Sequence, residues 1–69
     1  MSYSSDKYYI YHIDKYGCKK YFMGDKTFTC WLASTCGATS YDNLYDVCAM
    51  VVFLTEKENI SVNYQMCNG

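Results

Sequence analysis

Sixty-nine residues, 51% of them hydrophobic and 19% charged, describe one small globular domain rather than a disordered chain. Six lysines stand against seven acids with no arginine, a net charge of −1. That balance lacks the basic excess on which most nucleic-acid domains depend, and equally the acidic excess of a DNA mimic. No apolar run, the stretch through CAMVVFL included, approaches the ~18 residues that span a membrane.

The stretch MSYSSDKYYIYHID has no apolar core of signal-peptide type, so a cytoplasmic protein is expected. A core of this size supplies only ~3–5 kcal/mol unless something staples it. Cys18, Cys30, Cys36, Cys48 and Cys67 are an odd number without a secretory context. They read as packed thiols rather than as a disulfide framework.

In chain order, residues 1–6 are expected to be a flexible lead. Lys7 to Asp14 is rich in Tyr and Ile and predicts a strand. Asp14-Lys15-Tyr16-Gly17 predicts a hairpin turn, with Asp at its first position and Gly17 in the left-handed conformation. Cys18 to Met23 is the return strand, Gly24-Asp25-Lys26 a second turn, and Thr27 to Ala33 a third strand. Ser34 to Ser40 is a small, polar loop pivoting on Gly37.

A helix then starts at Asn43, its N-cap, with Asp46 three residues on and Asp42 also at the positive end of the helix dipole. Leu44, Val47, Cys48, Val51 and Leu54 make one apolar stripe. Ala49, Met50, Val52 and Phe53 make the other side unusually apolar, which suggests a cover from the loop or a homodimer contact through Met50 and Phe53. From Asn59 to Cys67, Ile60, Val62, Tyr64 and Met66 alternate with Ser61, Asn63 and Gln65, the period of a strand with one buried face.

The expected architecture is α+β, in element order β-β-β-α-β: an antiparallel three-stranded meander, one helix and a final strand. The sheet order is 3-2-1-4, with the helix on one face. A crossover through the helix puts the final strand beside the first and parallel to it.

Motifs of catalysis are weak. Zinc sites favour close Cys pairs, whereas the nearest pair here, Cys30 and Cys36, has five residues between its members, and His12 is the sole imidazole. His12 could activate Cys18 or Cys67 on a neighbouring strand, but a lone strand histidine is more often simply packed. Asp42 and Asp46 read as helix-start charges, and Glu56 and Glu58 as a solvated helix end. Gly17, Gly24 and Gly37 are isolated turn glycines, not a phosphate loop. We therefore expect no enzyme activity, no metal and no cofactor.

The aromatic sheet is the anomaly. Tyr8, Tyr9, Tyr11, Tyr21 and Phe22 fall on two adjacent strands, and strand side chains alternate between faces. One helix cannot cover all of these rings. They either fill the core and its margins, form a protein-contact surface, or make a stacking platform for single-stranded nucleic acid. The contact surface expected here is Tyr9 and Tyr11 with Tyr21 or Phe22 beside them. Asn63 supplies a polar flank, and Lys19 and Lys20 steer the patch toward acidic groups.

The segments YYIYHIDKYGCKKYF, YDNLYDVCAMVVFL and ISVNYQM give the chain a layout that resembles short proteins of bacteriophages and mobile elements. In size and arrangement it is similar to several anti-CRISPR proteins. The likeness is one of architecture and composition and transfers no functional residue. It implies a non-enzymatic inhibitor, phage-encoded, whose partner is a host protein or ribonucleoprotein complex such as a CRISPR effector. A small single-stranded nucleic-acid-binding protein is the alternative; no membrane association is expected.

Overall fold

The first hairpin forms because its turn satisfies its own backbone. Asp14 Oδ1 accepts from the N–H groups of Tyr16 and Cys18, both at 2.9 Å, and the Gly17 N–H donates to the Asp14 carbonyl. Gly17 has φ 82°, the left-handed conformation expected of it. The turn joins β1 (Asp6–Ile13) to β2 (Lys19–Asp25). The computed structural model describes residues 6–68, so the expected lead lies outside the described residues apart from Asp6, which opens β1.

β2 runs two residues further than the sequence suggested. The second turn is Lys26-Thr27 alone, with Asp25 paired to Phe28 at the start of β3 (Phe28–Leu32). Asp25 Oδ1 accepts from both the N–H and the hydroxyl of Thr27, which locks this two-residue turn. Gly24 is thus a strand residue and not a turn residue.

The expected loop ends in a short strand the sequence did not announce, β4 (Ser40–Tyr41), before α1 (Leu44–Glu58) and β5 (Asn63–Asn68). β3 pairs β2, β2 pairs β1, and β1 pairs both β4 and β5; every pairing is antiparallel. Tyr8 and Tyr9 pair with β4 and with β5, and Tyr11 pairs with β2 and with β5. A strand residue has two edges, so β2 and β4 share one edge of β1 while β5 occupies the other. Thr39 ties β4 to β2: its N–H donates to the Phe22 carbonyl, and its hydroxyl accepts from the Gly24 N–H at 2.8 Å.

The fold is the α+β arrangement expected, and the final strand does lie beside the first. Its direction is the correction: β5 is antiparallel to β1, not parallel. β4 is the cause. It carries the chain back down the sheet before the helix begins, so the helix returns it upward and β5 descends again.

α1 begins where Asn43, in extended conformation, accepts from the Tyr45 N–H at 2.8 Å, and ends at Asn59 in the left-handed conformation. Its buried side is Val47, Met50 and Leu54, packed on Ile10, Phe22 and Val62. Val51 and Phe53 lie partly buried beside them, whereas Leu44, Cys48 and Val52 face outward. The expected stripe is therefore rotated. Met50, offered as a homodimer contact, is 6% exposed in the core, and Phe53 packs against that core rather than standing free. Burying one such side chain contributes about 1.5–3 kcal/mol.

A 15-residue helix is about 22 Å long, whereas the molecule measures 43 Å along its longest axis. α1 therefore covers only part of one sheet face. Val62 is buried beneath it, but Tyr64 and Met66, expected on the same buried face, are 41% and 54% exposed.

Candidate protein-contact surface

Strand parity assigns the faces. Tyr8, Ile10 and His12 point to the helix side with Ile10 in the core; Tyr9, Tyr11 and Ile13 point to the other side. The pairing Tyr11↔Tyr21 brings β2 into the same face, and Tyr21↔Leu32 adds β3. On the opposite flank Gln65 lies beside Tyr9 and Asn63 beside Tyr11. The uncovered face thus assembles Tyr9, Tyr11 and Tyr21, all half-buried, with exposed Asn63 at their edge, as the sequence suggested.

One cation organises the patch. Lys19 Nζ sits 4.2 Å from the centroid of the Tyr11 ring and 5.8 Å from that of Tyr21. It also donates to Gln65 Oε1 at 2.6 Å, reaching across β1 to β5. The Gln65 amide in turn donates to Cys67 Sγ at 3.3 Å. The Tyr11 and Tyr21 rings are 6.4 Å apart and tilted by 58°. A cation–π contact at an exposed site is worth about 0.5–1 kcal/mol, enough to bias the lysine rotamer and too little to hold the fold.

Lys20 does not join this group. It pairs with His12 and lies on the helix side, because neighbouring strand residues point to opposite faces. His12 packs edge-on against Trp31 with centroids 4.4 Å apart, and Trp31 packs against Phe22. Cys67 pairs with Lys7 and lies on the other face, so the suggested His12–Cys67 pair is not brought together. Among the described residues no three of His, Cys, Asp or Glu converge on one point, and the described surface encloses no pocket.

Ile13 and Leu32 extend the patch and were not singled out from the sequence. Ile13 shares the parity of Tyr9 and Tyr11 and could have been found that way. Leu32 depended on the β2–β3 register, which follows from where the second turn falls.

The Tyr41 phenol, on the helix side opposite Tyr8, is raised above its ordinary value, chiefly by burial and further by the carboxylates of Asp25 and Asp46.

Compared with known proteins, the chain matches no family model, no curated protein and no solved structure. No helix among the described residues is long and apolar enough to cross a membrane.

Proposed function

We propose that the protein is a non-enzymatic inhibitor of phage or mobile-element origin that sets its tyrosine face against a host protein or ribonucleoprotein complex. The resemblance in size and layout makes a CRISPR effector the candidate partner, blocked by occupation of its nucleic-acid or subunit surface. The observation carrying the reading is the gathering of Tyr9, Tyr11 and Tyr21 on the face that α1 leaves uncovered, with Asn63 and Gln65 as a polar margin. Tyrosine buries a large area at small rotamer cost and keeps a polar tip, which suits a hot-spot centre inside a hydrated rim.

Lys19 and Lys7 on the same face favour, as a second reading, a platform for single-stranded nucleic acid. Against it, the Lys19 ammonium already covers the Tyr11 ring where a base would stack. The test is cleavage by a purified effector with increasing amounts of the protein, alongside binding of a fluorescent single-stranded oligonucleotide across a salt series. Stoichiometric inhibition that is nearly independent of salt supports the protein-contact reading. Oligonucleotide binding that weakens steeply with salt, without inhibition, replaces it with the second.

A further inference from the structure

The sheet has two outer edges, and they are defended differently. Along β3, Lys57 Nζ donates to Thr29 Oγ1 at 3.2 Å, and Lys57 and Lys26 both flank the Phe53 ring. Lys57 of α1 therefore sets an ammonium against β3, and Lys26 adds a second in the turn that leads into it; charge near an edge discourages another strand from adding to it. β5 pairs only with β1 among the described residues, so one row of its N–H and C=O groups has no strand partner. Its sequence, NYQMCN, has no charge and no proline. On its helix side Tyr64 and Met66 stand exposed, past the end of the helical cover.

We propose that β5 pairs antiparallel with β5 of a second copy, about a two-fold axis through Gln65. Unsatisfied backbone groups along an extended edge select an extended strand as occupant. The choice of a second copy comes from register. A two-fold perpendicular to the sheet keeps like faces together, so opposed residues must share parity. Centring on Gln65 sets Tyr64 opposite Met66 and Asn63 opposite Cys67. Both exposed apolar side chains of each copy then meet those of the other, while amides and thiols pair on the far face. Centring on Met66 would set Tyr64 against an asparagine. Centring on Tyr64 would call on Val62, which precedes the strand and is already buried.

The two sheets become one, and the tyrosine faces of both copies lie on the same side. The dimer then offers a partner two equivalent patches.

The experiment is sedimentation of the full chain at micromolar concentration, with Met66→Lys and Gln65→Cys variants, the latter in a Cys67→Ser background. The wild type is expected at twice the 8.0 kDa chain mass. Met66→Lys, at an exposed position, is expected to keep its far-ultraviolet circular dichroism and sediment as a monomer at the same loading. Opposed residues of an antiparallel pair have Cα atoms about 4.5–5.5 Å apart, within disulfide reach, so Gln65→Cys is expected to form an intermolecular bond between the two introduced thiols on oxidation. A monomeric wild type overturns the proposal. So does a dimer that survives Met66→Lys, or one that gives no cross-link at position 65.

Discussion

Gly24 and Phe28 meet backbone to backbone. A Cβ on Gly24 would lie 2.0 Å from the Phe28 carbonyl oxygen, and Gly24 has φ 136°, a conformation that L side chains rarely adopt. The same Gly24 N–H donates to Thr39, so this close approach also anchors the chain leading into β4. Gly24→Ala combines a steric overlap with backbone strain of order 1–3 kcal/mol, in a domain whose core supplies only ~3–5 kcal/mol. Gly17 is the control: its φ is also positive, but nothing lies within 4 Å of its Cβ position. Gly17→Ala should cost about 1–2 kcal/mol and lower Tm by several degrees, whereas Gly24→Ala should abolish the cooperative melt. Equal melting temperatures for the two variants would show that β2 does not pass so close to β3.

The rotation of the helix gives a second prediction. Met50 is in the core and Val52, two residues on, is 58% exposed. Met50→Asp buries an unpaired carboxylate and should unfold the domain; Val52→Asp should shift stability by less than about 1 kcal/mol. Thermal melts of the pair check this. If Val52→Asp is the more damaging, α1 packs with its other side inward.

Much of this fold was legible because the information is local. Asp14 and Gly17 make their turn with their own hydrogen bonds, and Asn43 marks the helix start; Asn59, expected to open the last strand, instead ends the helix in the left-handed conformation, and β5 begins only at Asn63. The tyrosine face was legible for a similar reason, since the parity of Tyr9 and Tyr11 survives any register of pairing. The helix face was not. CAMVVFL is apolar on every side, so only the position of the sheet decides that Met50 goes in and Cys48 stays out. β4 has two residues and no periodicity, yet it reverses the direction of β5. Lys20, expected beside Lys19, lies on the helix side opposite His12, as strand alternation, a rule the sequence contains, requires.

Acid should weaken the hairpin turns in a defined way. The Cys18 N–H chiefly holds the Asp14 carboxyl below its ordinary value of 3.8; desolvation opposes it, and the Tyr16 N–H adds to the lowering. The Thr27 hydroxyl and then its N–H do the same for Asp25. Both are carboxylates depressed in the folded state, so their contribution is fully present above the unfolded value and is lost as pH falls through the folded one. Stability should therefore decline with falling pH from about 5 downward. Asn keeps an acceptor oxygen but does not titrate. Urea melts of the Asp14→Asn/Asp25→Asn variant should accordingly show a flatter decline over that range. A slope identical to wild type would mean that acid acts through other carboxylates.

The tyrosine face carries the functional prediction. Tyr9 and Tyr11 are half-buried on the uncovered side and do not belong to the core cluster of Ile10, Phe22, Val47, Met50, Leu54 and Val62. Replacing both by Ala should leave circular dichroism near that of wild type while weakening partner binding by roughly 2–4 kcal/mol, about 30- to 1000-fold in Kd. The Tyr9→Phe/Tyr11→Phe pair should lose much less, since ring area rather than the hydroxyl fills the contact. Lys19→Met removes the ammonium over Tyr11 and the bond to Gln65 while keeping a long apolar stem. A rim cation that steers an acidic partner acts on the association rate, so Lys19→Met should slow association, most at low salt, and leave dissociation almost unchanged. Surface plasmon resonance against the purified effector reads all three variants. If the folded Ala pair binds as tightly as wild type, the rings only complete the sheet and the contact lies elsewhere, first of all on the outward helix side formed by Leu44, Cys48 and Val52.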